Sequence, residues 1–281
     1  KLNLENINND LENRFVDSMP FVPSDNEKRA QRCKEIFAIQ ASGLAKRIEH
    51  VGSNGVVVGI SGGLDSTLAL LVSVSAMKLL GKNNSDILGV TMPGFGTTDR
   101  TYQNAIDLMK SLGVTIKEIS IKDACVLHMK DIEHDSLVKD ITYENTQARE
   151  RTQILFDLAN KHGKLLVGTG DLSELAMGWC TYNGDHMSMY GVNASVPKTL
   201  VKYLVEYVAN GSDKKTADIL FDVLDTPVSP ELLPPDENGN IAQKTEDNIG
   251  PYELHDFFLY NFVRFGFEKN KIKRLALKAF D

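Results

Sequence analysis

Gly55-Val-Val-Val-Gly-Ile60 runs straight into Ser61-Gly-Gly-Leu-Asp-Ser-Thr67. The first six residues are a short, continuous apolar run, the mark of a strand buried on both faces. Helical spacing begins at once over 67–80, so a strand-to-helix turn lies between the two. Gly59 ends the strand. Gly62 and Gly63 carry no Cβ, so backbone N–H groups there can turn toward a phosphate and approach it closely. The positive end of the following helix favours the same anion. Ser61, Ser66 and Thr67 add hydroxyl groups, and Asp65 is suited to hold the Mg²⁺ that accompanies a pyrophosphate. A Gly-turn with Asp and Ser capping a helix would explain part of this string. The complete string at a strand-to-helix junction points instead to a bound nucleotide. A Walker A loop would need a Lys after its last Gly; none is present, which disfavours an NTPase of that type.

Outward from this junction, strand and helix alternate. The pattern predicts a helix over 27–51 with Ile36, Ile39, Leu44 and Ile48 facing inward. It predicts strands over 87–92, 114–121 and 165–168, and helices over 99–112 and 147–161. Such alternation implies an α/β fold, a parallel sheet with helices on both faces. Ligands in these folds sit beyond the carboxyl ends of the strands. Farther on, 200–208, 216–224 and 252–267 are expected to be helical, and the Pro-, Asp- and Gly-rich stretch 229–250 a mobile loop. Residues 1–25, with Pro20 and Pro23, read as an arm or linker, and 26–281 as one domain.

The formal net charge of −7 argues against a broad nucleic-acid surface. No apolar run approaches the roughly 18 residues of a membrane span, and the start lacks a secretory pattern. Cys33, Cys125 and Cys180 have neither disulfide nor metal-ligand spacing, which fits a cytoplasmic protein. Cys180 is expected to be a packing residue, since nothing beside it activates a thiol. The chain opens on Lys1 rather than Met, so a piece of something longer is expected.

The Ser61–Thr67 string resembles the pyrophosphate-binding loop of the N-type ATP pyrophosphatases, which cleave ATP to AMP and pyrophosphate. Three further strings narrow the resemblance: Val90-Thr-Met-Pro-Gly-Phe-Gly-Thr-Thr-Asp-Arg100, Asp140-Ile-Thr-Tyr-Glu-Asn-Thr-Gln-Ala-Arg-Glu-Arg151, and the segment from Val167-Gly-Thr-Gly-Asp171 through Val196-Pro-Lys198. Together they are similar to NAD synthetase, and to the synthetase domain of its glutamine-dependent form. The resemblance implies a Rossmann-like fold of the adenine nucleotide alpha hydrolase-like kind. It implies ATP and Mg²⁺, with nicotinic acid adenine dinucleotide and ammonia as the other reactants. Asp65 and Glu174 would hold Mg²⁺. Thr169, Lys198 and Ser229 would contact ATP, and Asn145, Arg149, Glu174 and Trp179 the dinucleotide. Asp65, Lys198 and Glu174 would carry the chemistry.

An indole face at Trp179 suits a pyridinium ring. Arg149 and Arg151 stand two apart on a helix, so at most one is expected to meet substrate. Arg100 is a further candidate for ATP, while His134 and His186 are expected to be structural. The resemblance also implies a homo-oligomer and a glutamine amidase domain that the chain does not contain. Residues 1–25 would be the tether to that domain, and a basic segment would follow residue 281. Two alternatives stay open: another enzyme of the superfamily, such as a tRNA-thiolating adenylase, and a non-catalytic nucleotide-sensing module.

Overall fold

Strand β1 (Val56–Gly59) lies at the centre of a five-stranded sheet. Its flanking strands are β2 (Ile87–Thr91) and β4 (Leu165–Gly168), and β3 (Thr115–Glu118) and the two-residue β5 (Tyr190–Gly191) form the edges. The order is β3-β2-β1-β4-β5, and every pairing is parallel, with Val57 opposite both Leu88 and Leu166. A computed structural model describes residues 13–230, 232–234 and 245–280. The parts of the expected arm at 1–12 and of the expected loop at 231 and 235–244 lie outside the described residues.

Val56, Val57 and Val58 have no exposed surface, which is why this stretch carries no polar alternation. Burying each stabilises the fold by roughly 1.5–3 kcal/mol. Helices α1 (Asn26–Val51), α2 (Leu64–Leu79), α3 (Asp99–Ser111), α7 (Lys198–Asn210) and α8 (Lys214–Asp225) pack into the core on one side of the sheet. Helices α4 (Lys122–Asp131) and α5 (Ile141–His162) pack on the other. A short helix, α6 (Leu172–Met177), follows β4, and α9 (Thr245–Ile249) precedes a final pair, α10 (Tyr252–Phe265) and α11 (Lys269–Ala279). Phe257, Ile272 and Leu275 make a separate small core for that pair.

The strand–helix alternation expected up to residue 168 is present, and so are the three later helices. Differences have local causes. Ile39 is 71% exposed, because α1 packs through Cys33, Ala41, Leu44 and Ile48, a stripe from which residue 39 is turned away. Gln40 takes the inward place: its Nε2 donates to the Val192 carbonyl at 2.9 Å and to Asn193 Oδ1 at 3.1 Å. The expected third strand shrinks to the four residues Thr115–Glu118, although Ile119 N and Ile121 N still donate to the Thr91 and Pro93 carbonyls at 3.0 and 3.2 Å before α4 begins. Among the described residues, no helix is long and apolar enough to cross a membrane.

Candidate active site at the carboxyl ends of β1 and β4

Chain order runs outward from β1 through β2 to β3, then returns to the other side of β1 as β4. The strand order therefore reverses between β1 and β4, where an open α/β sheet forms its ligand crevice. The loop after β1 carries Ser61–Ser66, and the loop after β4 carries Thr169–Glu174. Both face one cleft.

Hydroxyls hold the first loop in shape. Ser61 N donates to Ser66 Oγ at 3.3 Å, Ser66 Oγ donates to the Gly63 carbonyl at 3.1 Å, and Gly63 N donates to Ser61 Oγ at 3.2 Å. The two glycines serve different ends. Gly62 has φ +91°, and a Cβ there would lie 2.0 Å from the Thr101 carbonyl oxygen of α3. It lets the loop lie flat against α3 and does not line the cleft. Gly63, at φ −87°, caps α2, and a Cβ there would meet only Ser61 Oγ, at 3.4 Å. Its open side is the wall of the cleft. Gly62→Ala should therefore destabilise the fold by at least about 1–3 kcal/mol. Gly63→Ala should cost about 1 kcal/mol or less, as denaturant midpoints would show. Thr67 is fully buried behind the loop, its Oγ1 without a hydrogen-bond partner among the described residues.

Asp65, in the first turn of α2, meets two carboxylates from the other loop. Asp171 caps α6, and its side chain accepts from Glu174 N at 2.8 Å while Glu174 Oε2 accepts from Asp171 N at 3.2 Å. This reciprocal box fixes both acids at the end of β4. Lys198, the first residue of α7 and only 4% exposed, points its Nζ among all three. It lies 2.6 Å from Asp65 Oδ2, 3.0 Å from Glu174 Oε1 and 2.8 Å from Asp171 Oδ2. The last contact is an ion pair by distance but not a hydrogen bond by direction, so among the described residues neither Asp171 Oδ2 nor Asp65 Oδ1 has a hydrogen-bond partner. The Tyr252 ring lies 5.2 Å from the same ammonium.

Three carboxylates face one ammonium. Burial, then the charge of Asp65, raises the carboxyl pKa values of Asp171 and Glu174 above the usual range. Burial pulls the Lys198 ammonium down, but Asp65, Glu174 and Asp171 together hold it well above its ordinary value. The cluster is thus short of positive charge. Asp65, Asp171 and Glu174 can each offer an oxygen, with the three atoms within 4.8 Å of one another. An all-oxygen donor set with two orphaned oxygens fits a hard divalent cation. Asp65 and Glu174 reach the cleft, and Asp171 lies behind them.

Two cavities meet here, sharing Ser61, Ser66, Thr169, Asp185 and Ser229. The first contains Asp65, Glu174 and the half-buried Trp179. The second runs between the ends of β1, β2 and β4; Gly59, Ile60, Met92 and Leu155 line its apolar part and Arg151 its wall. Of the two arginines on α5, Arg151 reaches this cleft, and its Nε donates to the Met92 carbonyl at 3.3 Å. Arg149 Nε instead donates to the Tyr182 carbonyl at 3.2 Å, and Asn145 Oδ1 accepts from Thr181 Oγ1 at 2.8 Å. These two brace the 181–182 turn from α5 and line neither cavity.

Arg100 is engaged elsewhere, paired with Asp222 at 2.7 Å and Asp225 at 3.1 Å. His134 pairs with Asp140 at 3.0 Å. His186 Nδ1 lies 3.0 Å from the Thr181 carbonyl, and the residue lines the first cavity. Cys180 is not a packing residue. It is exposed on the cavity wall, because the turn after α6 carries it outward. Burial and then the charges of Asp185 and Glu174 raise its thiol pKa, so the thiolate is disfavoured.

Sequence reasoning missed two residues of the site. Asp171 stood inside a quoted string but reads as an ordinary helix cap. Asn193 is fully buried, and its Nδ2 donates at 3.0 Å to both the Asp65 carbonyl and the Thr169 carbonyl, joining the two loops. No local pattern signals a contact that spans 128 residues.

Residues 36–277 match the NAD synthase family. The chain is 47% identical over 273 residues to a glutamine-dependent NAD(+) synthetase of Mycobacterium leprae, covering 95% of this chain and 40% of that protein. It is 33% identical to the glutamine-dependent NAD(+) synthetase of Synechocystis sp., covering 82% of this chain and 39% of that protein. The chain thus spans about 40% of the length of the curated relatives it matches. Among solved structures, it resembles the glutamine-dependent NAD+ synthetase of Acinetobacter baumannii in complex with adenosine diphosphate. There the TM-score is 0.60 at 26% identity, over 88% of this chain and 43% of that one. NMN synthetase from Francisella tularensis shares the fold, with a TM-score of 0.69 at 23% identity over 88% and 93% of the two chains. With that coverage and identity, and a five-stranded parallel sheet of the adenine nucleotide alpha hydrolase-like kind, this chain belongs to the NAD synthase family.

Proposed function

We propose that the chain carries the synthetase step of NAD formation. ATP adenylates the nicotinate carboxylate of nicotinic acid adenine dinucleotide, and ammonia then converts the adenylate to the amide. A carboxylate oxygen attacks the α-phosphorus as the bond to pyrophosphate breaks. Nitrogen next attacks the acyl carbon, AMP departs with the bonding electrons, and nitrogen loses a proton. The observation that carries this reading is the Asp65–Asp171–Glu174 cluster around Lys198, set at the cleft between the β1 and β4 ends.

In this reading the Ser61–Ser66 loop cradles the phosphates, and the apolar second cavity takes the adenosine. The relative crystallised with adenosine diphosphate supports the use of ATP. Thr169 and Ser229, on the shared wall, lie between the two ends of the nucleotide. Lys198 supplies a fixed positive charge where phosphate charge develops. Asp65 and Glu174 would hold Mg²⁺, which when bound neutralises charge on the leaving pyrophosphate. Trp179 offers a ring face to the nicotinate, while Asn145 and Arg149 support the dinucleotide side through the 181–182 turn. The reaction asks for positioning and charge rather than an acid–base pair.

The names of the relatives point to glutamine as the nitrogen source, with an amidase domain in the full protein, residues 1–25 as the tether to it and residues 26–281 as the synthetase unit. A homo-oligomer in the cytoplasm completes the proposal. Membership of the NAD synthase family disfavours a tRNA-thiolating adenylase, and a nucleotide sensor would have no need of three carboxylates around one buried lysine.

The test is NAD formation from ATP, Mg²⁺, ammonium and nicotinic acid adenine dinucleotide, with pyrophosphate followed in the same tube. Equal amounts of NAD and pyrophosphate are expected. Their absence, both from this chain and from a chain extended at both ends, would overturn the reading.

A further inference from the structure

Lys198 can meet three carboxylates only if the start of α7 is fixed against the start of α6. At that junction stands a group from α10, outside the sheet and its flanking helices. Asp256, in the second turn of α10, is 1% exposed, and Ser173, the residue between Leu172 and Glu174, is equally buried. Ser173 Oγ donates to Asp256 Oδ1. The same Oγ accepts from Lys198 N at 2.9 Å, and Asp256 Oδ2 accepts from Thr199 N at 2.9 Å. Lys198 and Thr199 open α7, whose first N–H groups have no partner within the helix. Pro197, the cap residue, makes no side-chain cap bond, so α6 through Ser173 and α10 through Asp256 supply the cap from elsewhere in the chain.

We infer that Asp256 is a positioning residue for the reaction: through Ser173 and Thr199 it locks the first turns of α6 and α7 together, and so sets where the Lys198 ammonium stands among Asp65, Asp171 and Glu174. The chemistry of the link favours this over a general packing role. A carboxylate is suited to a helix N-terminus by charge as well as by hydrogen bonding. Both oxygens of Asp256 are committed to donors that belong to the two elements bearing the cluster. Ser173 is committed twice, as acceptor from Lys198 and as donor to Asp256. Removing any member leaves a buried donor or acceptor unpaired at the root of the catalytic lysine. Asp256 touches no reacting atom. Its effect passes through Lys198, and its relevance to catalysis rests on the function proposed above.

The experiment compares Asp256→Ala, Asp256→Asn and Ser173→Ala with Ile272→Ala, a control that weakens the small α10–α11 core without touching the link. In protein labelled with ¹⁵N-lysine, the buried Lys198 ammonium should give a slowly exchanging signal, assigned by its loss in Lys198→Met. That signal should shift or vanish in Asp256→Ala and Ser173→Ala and persist in Ile272→Ala. In the pyrophosphate assay, kcat should fall by about 10- to 100-fold in the first two, with KM for ATP little changed. Asp256→Asn, which keeps an acceptor for Thr199, should lose less. The double variant Asp256→Ala/Ser173→Ala should lose less than the product of the two single effects, because the two residues share the Ser173–Asp256 bond. An unchanged Lys198 signal in Asp256→Ala would overturn the inference. So would a loss of kcat matched by Ile272→Ala at equal loss of Tm. If the unaltered protein forms neither pyrophosphate nor NAD while the lysine signal behaves as expected, the functional proposal fails and the placement of Lys198 by Asp256 stands.

Discussion

Asp65→Asn should lower kcat for coupled NAD and pyrophosphate formation by about 10²–10³-fold, the loss typical when one preorganised electrostatic group is removed from an active site. The substitution is nearly isosteric, and the Asp65 side chain is already partly open to the cleft, so the fold should change little. Its backbone carbonyl, which accepts from Asn193, is untouched. What changes is charge: the cluster loses its one carboxylate from the β1 side, and the shortest contact of Lys198, at 2.6 Å, loses its ionic partner. The divalent-metal requirement should rise with the fall in rate, which a Mg²⁺ titration of activity would show. A variant that kept full activity would remove Asp65 from the chemistry. A pure nucleotide sensor would be expected to keep most of its ATP affinity after the same change.

Lys198→Met should cause the second large effect, and it should be visible in stability as well as in rate. Methionine fills much of the space of the lysine stem but brings no charge. The buried Asp171 and the half-buried Asp65 and Glu174 would then face one another without the ammonium. Breaking a buried ion pair by removing one partner typically costs about 3–5 kcal/mol. Here part of that cost should be relieved by proton uptake, since Asp171 and Glu174 already hold their protons more tightly than ordinary carboxylates. The sign is specific: loss of the cation raises those carboxyl pKa values further, so the variant should be least stable at high pH and recover as pH falls. A divalent cation bound by the same oxygens should restore stability in proportion to its concentration. The Mg²⁺-induced rise in Tm should therefore be larger in Lys198→Met than in the unaltered protein. Equal shifts in the two proteins would show that the carboxylates and the ion do not meet.

The parts of this architecture that could be read from the sequence are those that local chemistry fixes. Val56–Val58 admit only a strand buried on both faces, and the glycine-serine turn after them admits few other loops. Where a residue's place depends on a partner far along the chain, the signal disappears. Gln40 looks like a solvent-facing neighbour of Ile39, and only the carbonyl of Val192 and the side chain of Asn193 make it the inward residue. Helix α4 carries Val126 and Leu127 on its exposed side, which blurs its periodicity. Helix α11 hides a narrow apolar stripe of Ile272, Leu275 and Ala276 among basic residues.

The site divides in the same way. Asp65 and Glu174 stand in recognisable strings, and the structure brings them together with Lys198. Asp171, Asn193 and Asp256 have roles set by contacts across the fold, and their sequence neighbourhoods say only cap, loop and amphipathic helix. Arg100 shows the converse. It lies in a string that suggests nucleotide contact, yet two acidic residues on α8 hold it.

Asn193 has a consequence for the thermodynamics of ligand capture. Because one buried amide ties the Asp65 and Thr169 carbonyls together, and Gln40 ties that amide to α1, the two walls of the cleft form a single rigid piece. Their conformational entropy is lost when the chain folds, so an arriving nucleotide need not freeze them. Association should then be governed by desolvation and charge, with steep dependence on ionic strength and little on loop ordering.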